Sequence, residues 1–204
     1  MTWFTKYLGS SIGKKQIMGV TGLMLCGFVL VHLLGNFLLF VSDEAFNKYG
    51  YALTSNPLLI VAEIILLSVF LLHLFLAFKL TIENKIARPQ NYALKVKTGR
   101  GSTLSSSTMP ITGFFLLLFI VIHLINFKYG TKFTVNYDGV VMRDLYKLVV
   151  EFFQSPTTVF YYIFSVVMLG FHVSHGFASA FQSLGISHPK YTPMIQNLSL
   201  LFGL

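Results

Sequence analysis

The sequence predicts an all-α integral membrane protein, a helical bundle with four full spans and the start of a fifth. Three observations predict it. Of the 204 residues, 54% are hydrophobic and only 11% charged, whereas a soluble domain carries about 25% charged residues. Mean hydropathy is +0.70. Four separate runs reach the length of about 20 mostly apolar residues that a bilayer-crossing helix needs, and Glu63 is the only acidic or basic residue inside any of them. Residues 1–204 therefore read as a single transmembrane domain.

The spans are expected at residues 17–41, 57–78, 110–127 and 157–181, with Pro57 well placed at a helix start and no proline interrupting a span. The first run begins only after Lys14 and Lys15 and is long enough to cross, so no cleavable signal is expected. At the other end, Thr192 and Pro193 make an N-cap and first-turn pair. Residues 194–204 are apolar but only half the length of a span, and the expectation is a chain cut short within a fifth helix. The lone cysteine, Cys26, lies in an apolar run; it allows no internal disulfide and no cysteine-based zinc or iron–sulfur site.

Formal net charge is +8. In a soluble protein that excess would suggest nucleic acid. Here no nucleic-acid partner is expected, because basic loops set membrane orientation. Lys6, Lys14, Lys15, Lys79, Lys85, Arg88, Lys95, Lys97, Arg100 and Lys190 share one side; Lys48, Lys128, Lys132, Arg143 and Lys147 share the other. The richer side, with the N-terminus, is predicted to be cytoplasmic. In the long outer connection, Val141, Leu145, Leu148 and Phe152 recur at helical spacing opposite Arg143, Asp144, Lys147 and Glu151, which predicts a short amphipathic helix in the outer interface. The stretch from Phe28 to Phe37, centred on His32, resembles that from Phe119 to Phe127, centred on His123. Both spans run outward, as in a parallel repeat about the membrane normal.

Each span holds one histidine of a set: His32, His73, His123 and His172. An ionisable side chain in lipid is costly and by default marks function. At about 1.5 Å per residue, His32 and His123 lie roughly 13 and 7 Å below the outer ends of their helices, and His73 and His172 roughly 22–24 Å below theirs. Ligands of one metal share a depth, so the pairs are His32 with His123 toward the outside and His73 with His172 toward the cytoplasm. Facing imidazoles without a carboxylate or thiolate do not complete a tetrahedral zinc site; they suit haem iron, whose porphyrin supplies the other four nitrogens. Gly19, Gly22, Gly27, Gly35, Gly113, Gly170 and Gly176 would let a flat macrocycle approach the backbone, or serve ordinary small-residue packing. Each histidine alone also has the plainer reading of a hydrogen bond to a neighbouring helix. His175, one turn further in, is the alternative to His172. His188 is expected in an exposed loop.

These residues resemble the single-subunit, two-haem cytochrome b anchors of bacterial succinate dehydrogenases and fumarate reductases. The resemblance covers nearly the whole chain and rests on His32-Leu-x-x-Asn36, His73 late in the second span, His123 late in the third, Phe171-His172-x-Ser174-x-Gly176 in the fourth, and the tail from Ser187 to Pro193. It implies two haem b groups, His73 and His172 holding the inner and His32 and His123 the outer. It favours His172 over His175, because the family's ligand follows Phe and precedes x-Ser. It implies partners on the cytoplasmic face: a flavoprotein with FAD and an iron–sulfur subunit, docked on the N-terminal tail and the basic connection at residues 79–100. It implies electron transfer to a quinone, most simply menaquinone, in the bacterial cytoplasmic membrane. Two features depart from the family. The fifth span is not completed, and Gly170-Phe171 stand where some fumarate reductases carry a glutamate for proton movement.

Quinone carbonyls need hydrogen-bond donors and their reduction needs protons. Asn36, Asn126 and Glu63 are the candidates, although either asparagine also suits helix capping or a propionate contact, and a buried Glu63 also suits a bond to a neighbour. Two other functions fit the same pattern: a haem b anchor for another respiratory dehydrogenase, of hydrogenase or formate dehydrogenase type, and a haem-free proton-coupled transporter using the histidines as a relay.

Overall fold

Long apolar runs coil into four helices because, in lipid, only intrahelical bonds satisfy the backbone. A computed structural model describes residues 2–87 and 104–204, with backbone only for 104–106. Arg88, Lys95, Lys97 and Arg100 of the expected basic connection lie outside the described residues. A short helix α1 (Trp3–Gly9) leads into α2 (Ser11–Asn36), which tightens into a 3-10 turn at Phe37–Phe40. Then follow α3 (Asp43–Thr54), α4 (Leu58–Ile86) and α5 (Leu104–His123), the last widening into a π turn at Leu124–Lys128. A hairpin of β1 (Thr134–Tyr137) and β2 (Val140–Arg143) precedes α6 (Leu145–Phe152), α7 (Pro156–Ser183) and α8 (Thr192–Gly203). Among the described residues, four helices are long and apolar enough to cross a membrane: Ser11–Phe40, Leu58–Ile86, Ser107–Lys128 and Pro156–Ser183. Their large apolar side chains, such as Ile60, Ile111 and Phe160, face outward at 65–73% exposure, the inverse of a soluble bundle.

The span limits differ from expectation in instructive ways. α4 continues past Phe78 to Ile86, so Lys79 and Lys85 stand on helix rather than in the connection. Lys79 Nζ lies 5.7 Å above the Phe75 ring, its stem running along apolar surface. α5 starts before Pro110, which therefore sits inside the helix, where it removes one rung of the ladder. Thr192 is the first helical residue rather than the cap; its Oγ1 accepts from the His188 N–H at 3.0 Å. The outer connection is only partly the expected amphipathic helix. Val141 and Arg143 belong to β2, paired antiparallel with β1, and α6 begins at Leu145. The hairpin turns on Asp138 and Gly139, with φ of 53° and 83°, the left-handed pair that an Asp-Gly turn prefers. α3 was not expected either. Its cap is local: Ser42 Oγ accepts from the Ala45 N–H at 3.0 Å, with Asp43 and Glu44 in the first turn.

The chain forms two compact units. The first comprises residues 1–26, 67–115 and 168–204, the second residues 27–66 and 116–167. In the first unit, Lys14 is buried at 8% exposure and forms an ion pair with Glu83, joining α2 to α4. A Cβ on Gly19 would come within 3.3 Å of the Ala180 carbonyl oxygen, so α2 and α7 approach closely there. Helix α8 lies on α7: Gly170 and Gly203 meet backbone to backbone, Ser199 Oγ donates to the Ser174 carbonyl, and Phe177 stacks on Phe202 at 5.6 Å.

The second unit has a polar clasp. Asn47 is wholly buried; its Nδ2 donates to Asp144 Oδ1 at 3.0 Å and Tyr137 Oη at 3.3 Å, and its Oδ1 accepts from the Tyr146 N–H at 3.0 Å. Phe46, Met142 and Leu148 are buried in the same unit. Glu44 and Asp138, at 2.5 and 3.4 Å from Lys48 Nζ, push that ammonium above its ordinary pKa.

Candidate functional site

Each compact unit holds one of the expected histidine pairs: His73 and His172 in the first, His32 and His123 in the second. In the second unit the His32 and His123 rings stand 5.8 Å apart between centroids with planes at 83°. Two imidazoles bound through Nε2 to one metal, at about 2 Å per bond, hold their ring centres on the order of 6 Å apart. The observed spacing fits one metal between the rings. Aromatic rings flank them: Phe28 stacks on the exposed His32 at 5.5 Å, and Phe119, Phe127 and Tyr162 stand 5.7, 5.2 and 6.1 Å from His123. His123 Nδ1 is buried without a hydrogen-bond partner.

In the first unit each histidine is held from a second helix by the same pair of residue types. Thr21 Oγ1 lies 3.1 Å from His73 Nδ1, and a Cβ on Gly22 would lie 3.4 Å from His73 Cε1. Thr112 Oγ1 lies 3.0 Å from His172 Nδ1, and a Cβ on Gly113 would lie 3.4 Å from His172 Cε1. So α2 cradles the histidine of α4, and α5 cradles that of α7. His175 lies three residues after His172 on α7. They differ in what their rings do: His175 bonds through Nε2 to Ser179 on its own helix at 3.2 Å, whereas His172 is held through Nδ1. His188 lies in the exposed turn before α8, where its Nδ1 accepts from the Lys190 N–H at 3.1 Å.

Among the described residues, no three His, Cys, Asp or Glu side chains come together as a metal-binding group. Paired imidazoles without further protein ligands suit a metal whose remaining positions are filled by a macrocycle. The ring spacing at His32 and His123 and the two Nδ1-held rings at His73 and His172 fit haem.

The quinone candidates have distinct surroundings. Asn36 Nδ2 donates to the carbonyl of His32, one turn back, at 2.8 Å. Asn126, in the π turn, faces Tyr162 Oη at 3.4 Å. Glu63 is not buried; it is 45% exposed and pairs with Lys128 at 2.6 Å. Of the glycines, Gly22 and Gly113 touch histidines, while Gly19, Gly35 and Gly170 meet Ala180, Tyr49 and Gly203 and serve packing.

The reading of the sequence missed the two threonines. A signal was available: Thr21-Gly22 precedes His32 at the same separation at which Thr112-Gly113 precedes His123, which lengthens the internal repeat by a third of a span. Comparison of the chain with protein-family models, with curated proteins and with solved structures found no match.

Proposed function

We propose that this chain is the two-haem cytochrome b anchor of a bacterial succinate:quinone oxidoreductase, carrying electrons from an iron–sulfur subunit to a quinone, most simply menaquinone. The observation that carries the reading is the sorting of four span histidines into two pairs, one per compact unit, with the His32 and His123 rings at the spacing of two ligands on one metal. His32 and His123 are the ligands of one haem b, and His73 and His172 those of the other. A bound haem supplies a one-electron centre whose potential the protein tunes through its ligands and their hydrogen bonds.

The chain's residues do the rest. The imidazoles hold each group in place, and the phenylalanines and Tyr162 around His123 keep water from it. Asn126, with Tyr162, offers hydrogen-bond donors to a quinone, and Glu63, paired with Lys128, offers an ionisable group for proton supply. Asn36, tied to the His32 carbonyl, is the weaker quinone candidate. Exposed Lys6, Lys15, Lys79 and Lys85 form the surface for the iron–sulfur subunit and the FAD-bearing flavoprotein; Lys14 is withdrawn from it by Glu83. The N-terminus is cytoplasmic in this reading, because that side carries more lysine and arginine.

The test is a redox titration of the purified complex, made with haem supply intact. Two b-type reduction steps are expected, with His32→Ala or His123→Ala removing one and sparing the other. Absence of a Soret band would leave the haem-free transporter as the better account. Two haems without succinate-driven quinone reduction in the assembled complex would point to another dehydrogenase.

A further inference from the structure

Thr21 and Thr112 occupy matching positions on two helices of the same compact unit. Both are shielded, at 4% and 9% exposure. Both hydroxyls also turn back to their own helix. Thr21 Oγ1 donates toward the Ile17 and Met18 carbonyls at 2.9 and 3.0 Å. Thr112 Oγ1 donates toward those of Thr108 and Met109 at 3.3 and 3.1 Å. A hydroxyl has one proton and two lone pairs. With its proton turned to a carbonyl of the helix, it meets the imidazole as an acceptor, and Nδ1 of the histidine is the donor.

Resting on the di-haem reading above, we infer that Thr21 and Thr112 are positioning residues. They hold His73 and His172 in the Nδ1–H form, leave each Nε2 lone pair for the iron, and strengthen both rings as electron donors to one haem. The partner of a ligand's second nitrogen fixes tautomer and ring orientation and raises donor strength. Gly22 and Gly113 line each cradle beside the threonine; a Cβ at either would rest 3.4 Å from the ring, in ordinary van der Waals contact. The other pair is built differently, for His123 Nδ1 is buried without a partner. The threonines therefore act on one haem of the two.

Serine and threonine often bond back to their own helix with no further role, so the test must read something that packing alone would not move. The haem-loaded complex is titrated optically as wild type, Thr21→Val, Thr112→Val, Thr21→Ser and Thr112→Ser. Valine keeps the β-branched shape and deletes the hydroxyl. Both valine variants are expected to move the same one of the two reduction steps upward, because a ring that no longer donates from Nδ1 stabilises the oxidised iron less. The other step stays in place, serine restores the first, and the low-spin resonance of that haem alone shifts in the electron paramagnetic spectrum. Loss of that haem in a valine variant, with recovery by serine, supports the assignment equally. Unmoved steps in both valine variants, movement of a different step by each, or loss in valine and serine variants alike overturns it. A wild-type complex without b-type haem overturns the di-haem reading itself.

Discussion

Asn47 Nδ2 donates to Asp144 Oδ1 at 3.0 Å, joining the helix after the first span to the residue that caps the helix before the fourth. Asp144 is already committed locally, since its Oδ1 also accepts from the Lys147 N–H at 2.9 Å. The buried amide thus draws α3, the hairpin and α6 onto one atom.

Asn47→Ala strips partners from the Tyr146 N–H and from one side of Asp144. Each buried group left unpaired costs about 1–3 kcal/mol. The expected outcome is a folded protein in which hydrogen exchange speeds up across residues 134–152 and in α3, while the amides of α7 keep their protection. Uniform loss of protection throughout the chain would refute a local clasp.

The Lys14–Glu83 pair should respond asymmetrically. Lys14 is buried and Glu83 is 38% exposed at its side chain. Removing the carboxylate strands a charge away from water; removing the ammonium leaves a carboxylate that water still reaches. Glu83→Gln is therefore expected to destabilise more than Lys14→Met, by about 1–2 kcal/mol after allowance for the exposed side. Detergent-solution melting curves check the order, and the double variant should recover part of the loss.

What the sequence made legible follows from strong, local physics. Four runs nearly free of charge predicted four spanning helices, because each unpaired charge or backbone group in lipid is expensive. Helical rise grouped His32 with His123 and His73 with His172 by depth, since a straight helix makes depth a linear function of residue number, and each group falls in one compact unit. The ends were less legible. α4 runs on to Ile86 because Lys79 and Glu83 find an aromatic face and a lysine to lie against, contacts that no hydropathy pattern contains. β1 and β2 were concealed because Val141 and Leu145 share a spacing that suits a helix, whereas Asp138-Gly139 between valine-rich stretches carried the better signal. Glu63 was expected to be buried from its place in an apolar run, but the π turn brings Lys128 beside it. Thr21 and Thr112 went unread because a threonine in an apolar helix carries no mark of which neighbour it will meet.

On the di-haem proposal, His172 and His175 provide a further check on the pair formed with His73. His175 already spends its Nε2 on Ser179. His175→Leu is expected to retain both b-type haems in full, and His172→Leu to lose one and keep the other, as read by haem-to-protein ratio and by the number of reduction steps. Loss of a haem in the His175 variant with retention in the His172 variant would exchange their roles.

The π turn after His123 frees carbonyls at the end of the third span, and Arg143 takes them up. Its Nη2 donates to the Phe127 carbonyl at 2.9 Å and to that of Thr131 at 3.3 Å, and its Nη1 reaches the Lys128 carbonyl at 3.5 Å. Burial lowers the guanidinium's pKa, yet arginine stays charged, so the donors are always available. Helix ends are usually closed by the residues that immediately follow; this one waits for a side chain on the far strand of a hairpin. During synthesis the third span can enter the bilayer as soon as it emerges, but its last turn stays open until the ribosome has passed Arg143 and the hairpin has closed. The span's insertion and its completion are therefore separate events in time, and a nascent chain stopped short of Arg143 would hold a spanning helix with a frayed end.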